Sequence, residues 1–209
     1  MNRLIFAFLL LAALIVAGPQ SARAQTMTPE AAQAVAAAEN YLQSLTTAQA
    51  RFTQTANDGR QVSGTFYLNR PGRLRFEYDA PFQDLVVADG IFIYFYDSET
   101  KQQSSAPIAE TLANFLLRKN LTLSGDITVT AVGHSTGGML LVTLIQTGHA
   151  SDGSLTLAFE QNPLRLKKWW VVDSTKAITE IELSGLQTDM KLPASLFVFK
   201  NPGRHGLNQ

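Results

Sequence analysis

The chain contains no cysteine, and only three histidines and two tryptophans among 209 residues. Nor does either charge dominate, with 17 basic side chains against 17 acidic ones. Without cysteine, a disulfide scaffold and a cysteine-built zinc site are excluded, and an exported fold must hold itself by its core alone. The same absence excludes acylation on a cysteine behind a leader, so the chain is not itself a lipoprotein. His134, His149 and His205 fall in turns or in the tail and show no H-E-x-x-H spacing. Glycine loops of the phosphate-binding kind are missing too, so neither metal nor cofactor is expected. Nucleic acid is excluded as a partner, because there is no basic excess and no basic cluster. The one local concentration, Arg165-Leu166-Lys167-Lys168, reads as a solvated strand edge.

A run long enough to span a bilayer is also lacking. Leu4 to Val16 is unbroken and apolar, but at thirteen residues it falls short of the roughly 20 that a membrane helix needs. Arg3 precedes it and the small-x-small group Ala22-Arg23-Ala24 follows, which together predict a leader over residues 1–24 cleaved after Ala24. Residues 25–209 then form one domain of ordinary length, two charges negative once Arg3 and Arg23 are gone. In a Gram-negative cell such a protein resides in the periplasm.

What is present is mostly strand. Gly64 to Asn69 alternates, with Phe66 and Leu68 on one face, and Arg70-Pro71-Gly72 is a turn. Leu74, Phe76 and Tyr78 then share a face opposite Arg73, Arg75 and Glu77, the period of two that marks a half-buried strand. Asn57-Asp58-Gly59 and Asp89-Gly90 signal hairpins. Beyond Gly125, strands are predicted at 127–132, 140–146, 154–161, 164–172, 177–184, 186–192 and 196–199, giving about eleven in all. Short turns join them, so neighbours pair antiparallel. Two helices interrupt the pattern: an alanine-rich one after Thr28 and Pro29 running to Leu45, and an apolar-faced segment from Ile108 to Arg118.

Several strands are apolar on both faces, Ile91 to Tyr96 and Leu140 to Ile145 above all. Two architectures satisfy this. One is a curved sheet around a filled core; the other is a curved sheet whose concave face forms a cavity closed by the two helices. Phe52, Phe66, Leu74, Phe76, Val86, Phe92 and Tyr94 fit either, and Trp169-Trp170 places one indole on each face of its strand.

One catalytic motif is present. Gly133-His134-Ser135-Thr136-Gly137 matches the G-x-S-x-G nucleophile elbow, which works only on a turn from a parallel strand into a helix. The residues that follow, Gly138 to Ile145, have strand composition, so Ser135 is not expected to act as a nucleophile and the chain is not expected to be an enzyme.

The pieces Phe52-x-Gln54, Gly64, Arg70-Pro71, Leu74-Arg75-Phe76, Pro81, Asp89-Gly90 and Tyr94-x-Tyr96-Asp97 resemble the LolA family, the periplasmic carriers of outer-membrane lipoproteins. The resemblance covers nearly all of residues 25–209 and is most specific between Phe52 and Asp97. It implies an α+β, mainly β fold: an unclosed antiparallel barrel with a helical lid over an apolar cavity. It also implies an acyl-chain site, with Leu42, Phe52, Phe66, Leu74, Phe76, Val86, Phe115 and Leu116 as candidate walls, and Arg70 as the latch of the lid. The implied partners are acylated lipoproteins, an inner-membrane lipoprotein-releasing ABC transporter and, where one exists, an outer-membrane receptor, with the carrier acting as a monomer. Two other functions compete: a lipid-binding or lipoprotein-sensing module on the same scaffold, and the hydrolase using Ser135. Aromatic residues at positions 76 and 94 stand where the family often has tryptophan, and Lys101 to Asn120 matches only loosely.

Overall fold

The computed structural model describes residues 27–111 and 113–202; the leader with its cleavage site, Leu112 and His205 lie outside the described residues. Helix α1 (Pro29–Ser44) opens the described chain. The Thr28 hydroxyl accepts a hydrogen bond from the Ala31 N–H at 3.2 Å, and Pro29 occupies the first turn, where its missing N–H is no loss. Ala38 and Leu42 are the positions that α1 buries.

Among the described residues, eleven antiparallel strands form a single sheet. The first six are β1 (Thr47–Thr55), β2 (Gln61–Asn69), β3 (Arg73–Tyr78), β4 (Leu85–Asp89), β5 (Phe92–Asp97) and β6 (Gln102–Pro107). A 3-10 turn at Ile108–Glu110 and the short helix α2 (Ala113–Leu117) follow. The second run comprises β7 (Ile127–His134), β8 (Leu140–Gln146), β9 (Gly153–Glu160), β10 (Arg165–Asp173) and β11 (Ile178–Thr188). Each run is a meander in which every strand pairs with its sequence neighbour, and β1 pairs with β11 to join the two. Strands β6 and β7 are therefore the two edges, and the barrel stays unclosed between them.

The concave face carries the main core, from Phe52, Phe66 and Leu68 on one side to Val142, Leu144 and Phe159 on the other. Gly64 is required here. It pairs with Phe52 and with Tyr78, and a Cβ would run into the Glu77 carbonyl oxygen and come within 2.6 Å of the Phe52 ring. The convex face is covered over β3 to β5 by the C-terminal tail. Phe197 is buried there, the Phe199 ring stacks on Tyr94 at 4.9 Å, and Leu85, Val87 and Tyr96 form a small outer core with Phe199. That is why β4 and β5 read as apolar on both faces.

The structure departs from the expected elements in four places, and Arg165-Leu166-Lys167-Lys168 is no solvated strand edge but part of β10, which is paired on both sides, with Leu166 buried. The predicted Ile108–Arg118 helix is split into the 3-10 turn and α2. Strand β6 carries the polar run Gln102-Gln103-Ser104-Ser105, which has no apolar period because most of its side chains are exposed at the sheet edge. Gly185 at φ +62° makes a bulge opposite β1 rather than a turn, so the predicted strands 177–184 and 186–192 merge into one strand, β11, which stops at Thr188. Residues 196–199 are no strand either. Ala194–Phe197 is a 3-10 turn, and the spacing of Phe197 and Phe199 reflects packing on the convex face.

Candidate functional site

Between α2 and the concave face lies an apolar cavity of about 240 Å³. Leu74, Phe76, Val86 and Ile93 of β3 to β5 form one wall, and Leu155, Leu157, Leu166, Trp169, Val171 and Ile181 of β9 to β11 form the other. Ala113, Phe115 and Leu116 of α2 close it. Edge-on aromatic contacts fix the central rings: Phe76 stands 5.1 Å from Phe52 and 6.4 Å from Trp169. The chemistry of such a wall is to exclude water from hydrocarbon. The aliphatic and aromatic side chains named above offer no nucleophile, acid or metal ligand.

Five of the eight wall residues proposed from sequence line this cavity: Leu74, Phe76, Val86, Phe115 and Leu116. Leu42, Phe52 and Phe66 do not. Leu42 is fully buried, because α1 packs over β7 to β9, with Tyr41 edge-on to Phe159 at 5.9 Å, and not over the cavity. Phe52 and Phe66 are enclosed between neighbouring rings and Gly64. The cavity roof is therefore α2 alone, and α1 fills the other end of the concave face. Sequence reasoning missed the β9 and β11 wall. Its signal was the alternation of Leu155 with Leu157 and of Ile181 with Leu183, read there only as strand.

Arg70 sits at the β2–β3 turn and is the only buried charged residue among those described. Its Nη1 donates to the Leu42 carbonyl and, at 3.2 Å, to that of Leu45. Its Nε and Nη2 donate to the Arg118 carbonyl at 3.2 and 2.9 Å, and Nη2 also reaches the Lys119 carbonyl at 3.3 Å. The first pair of acceptors lie at the C-terminal end of α1, which has no basic residue in its own last turn; the Leu42 carbonyl also accepts from the Leu45 N–H at 3.3 Å. A cation there also meets the negative end of the helix dipole. Burial pulls the Arg70 pKa down from its usual value, but arginine starts so high that it stays charged.

Other bonds complete the same junction. The Gly72 N–H donates to the Leu117 carbonyl at 2.8 Å, tying the turn to the end of α2. From α1, Gln43 accepts from the Leu121 N–H and Glu39 from the Leu123 N–H, both at 2.7 Å. Arg118 itself is braced by Asp126 at 2.7 Å, and that contact holds the Asp126 carboxyl below its usual pKa. Thus α1, the β2–β3 turn and residues 117–123 are one hydrogen-bonded unit centred on a guanidinium.

Ser135 occupies the β7–β8 hairpin turn, where its Oγ accepts from the Met139 N–H at 3.1 Å. No helix follows it, and it does not line the cavity. Among the described residues no cluster of three metal-ligating side chains occurs.

The family model described as outer membrane lipoprotein carrier protein LolA matches residues 43–200. The outer-membrane lipoprotein carrier protein of Methylibium petroleiphilum is 29% identical, covering 82% of this chain and 87% of that one. Its counterpart in Dechloromonas aromatica is 30% identical, over 82% of this chain and 85% of its own length. That of Chromohalobacter salexigens is 31% identical, over 88% of both chains. Sheet, cavity and turn arginine all fall inside the matched residues, and the chain belongs to the LolA family of outer-membrane lipoprotein carriers.

Proposed function

We propose that this protein is a periplasmic carrier that shelters the acyl chains of lipoproteins in the cavity beneath α2 and delivers them toward the outer membrane. The observation that carries the reading is an apolar cavity roofed by a short helix whose following loop is tied down through Arg70. Each methylene exposed to water costs about 0.8 kcal/mol, so a lipid with about three acyl chains cannot cross an aqueous space unaided. At about 240 Å³ the cavity is smaller than the roughly 300–1,000 Å³ that small ligands occupy, so loading requires α2 to move outward.

Arg70 is the latch in this reading. Its bonds hold the lid, yet they are few enough that a filled cavity outweighs them, each hydrogen bond contributing about 1 kcal/mol net. The other parts of the proposal are cleavage after Ala24 to leave residues 25–209, a monomeric carrier, loading by an inner-membrane ABC transporter, and unloading to an outer-membrane receptor where one exists. No catalysis belongs to it, since Ser135 is a turn residue away from the cavity wall.

Native mass spectrometry of the protein purified from its own periplasm, followed by lipid extraction, tests the reading. A bound triacylated protein or peptide is the expected result. A bound free lipid would move the function to lipid transport or sensing, and an inability to take up any acyl ligand would end the carrier reading.

A further inference from the structure

The cavity has a second end. Strand β3 runs from the Arg70 turn at Arg73 to Tyr78, and beyond Tyr78 the apolar space meets a separate hollow of about 690 Å³. Gln54, Tyr78, Val86 and Phe95 line both spaces and so stand at the boundary between them. The larger hollow has Arg60, Asp84, Asp97 and Glu99 on its walls, at the strand ends furthest from the lid tie. Polarity therefore changes from hydrocarbon to charge across four residues.

Two of those four are polar, and they are bonded to each other. The Tyr78 hydroxyl donates to Gln54 Oε1 at 2.7 Å, with the Tyr78 ring held edge-on against Phe52 at 5.0 Å. The bond uses the amide oxygen of Gln54 and leaves its Nε2 hydrogens without a partner among the described residues. Trp169 is the only other side chain on the apolar wall with a polar atom. An acceptor without donors of its own that arrives at the end of a hydrocarbon chain would fit the free amide N–H groups.

Resting on the carrier reading, we infer that Gln54, oriented by Tyr78, is the seat for an acyl-ester carbonyl. The acyl chains lie in the apolar cavity, the ester stands at its boundary with the charged hollow, and the hydrophilic remainder of the ligand occupies that hollow. This fixes the direction of the ligand, with chain ends toward the Arg70 tie and the headgroup toward Asp84 and Asp97. It also makes the linkage chemistry part of recognition: an ester supplies the carbonyl, whereas an ether of equal length and apolarity does not.

The test compares binding of two synthetic lipopeptides that differ only at the glyceryl linkages, ester-linked or ether-linked, with chains of equal length. The wild-type protein is expected to bind the ester form about five- to tenfold more tightly, the net worth of one hydrogen bond. Gln54→Leu should abolish that preference while leaving affinity for the ether form within about twofold, a pattern that a purely structural role for Gln54 does not produce. Should that variant fail to fold, the ester-to-ether ratio of the wild type decides alone. Equal binding of the two forms by the wild type overturns the ester seat and leaves the carrier reading standing. Binding of neither overturns both.

Discussion

At the lid end of β3, Arg70 directs its donors almost wholly at backbone carbonyls of α1 and residues 118–119; at the other end, Tyr78 makes one hydrogen bond to one side chain. The first arrangement needs nothing from its partners but their main chain, which every sequence supplies, and it asks only for a guanidinium with its fork of five donors. The second depends on two particular side chains. The comparison separates a closure that is indifferent to cargo from a contact that discriminates it. One end governs whether the cavity opens, and the other governs what sits in it.

The largest effect is expected from a substitution that disrupts the far end outright. Gly64→Val places a branched side chain against the Glu77 carbonyl and the Phe52 ring, on the strand that positions Tyr78. A loss above about 4 kcal/mol is expected by denaturant unfolding, among the largest effects of single substitutions; a stable variant would show that the Phe52–Gly64 packing is dispensable.

Removing the lid tie should be milder and local. Arg70→Leu takes the guanidinium away from the carbonyls of Leu42, Leu45, Arg118 and Lys119, at a cost of about 1–3 kcal/mol. Hydrogen exchange across residues 113–123 should rise about tenfold or more, while β8 to β10 keep their protection. Unchanged exchange in the lid would refute the latch.

Tyr78 gives the far end a pH dependence that the lid tie lacks. Burial raises its pKa from 10.0 to about 12, so folding favours the neutral phenol. The stabilisation is complete below pH 10 and is lost as pH climbs from 10 toward 12, on the order of 2 kcal/mol in total. Tyr78→Phe should flatten that alkaline limb in unfolding measured between pH 9 and 12.

The smallest effect belongs to the Arg118–Asp126 brace. The hydrogen bond from Arg118 depresses the Asp126 pKa, so its contribution is present above about pH 4 and fades as pH falls through the lower folded value. Asp126 is 59% exposed, which limits the pair to well under 1 kcal/mol. Asp126→Asn should shift lid exchange by less than about twofold; a larger shift would make Arg118 a second latch.

Much of this molecule was legible in sequence because its strands alternate cleanly. Leu74, Phe76 and Tyr78 announced one face of β3, and that face is where the cavity lies. Arg70 was legible as a turn residue, but its acceptors were not, since backbone carbonyls leave no trace in side-chain chemistry. Leu42, Phe52 and Phe66 were misplaced for a common reason: periodicity tells which face a residue occupies but not whether another side chain already fills the space before it. Gly64 held the clue for Phe52, because a glycine in mid-strand signals a close approach. Gln54 was legible only as part of the Phe52-x-Gln54 piece and not as a wall residue, because an isolated glutamine gains meaning only when a cavity is found on either side of it.

The pairing of β1 with β11 has a consequence for how the chain reaches this state. Every other strand pair joins sequence neighbours, but here Ala48 faces Thr188, across nearly the whole described chain. Closing so long a loop carries a large entropic cost before any contact rewards it, and non-local pairing slows folding. Each meander has short-range contacts and sets its register from its own hairpins, so the seam is the step that waits. Until it zips, β1 and β11 are both open edges, each a template for a strand of another chain. The same seam that makes the finished sheet continuous is the place where two half-built copies would exchange halves.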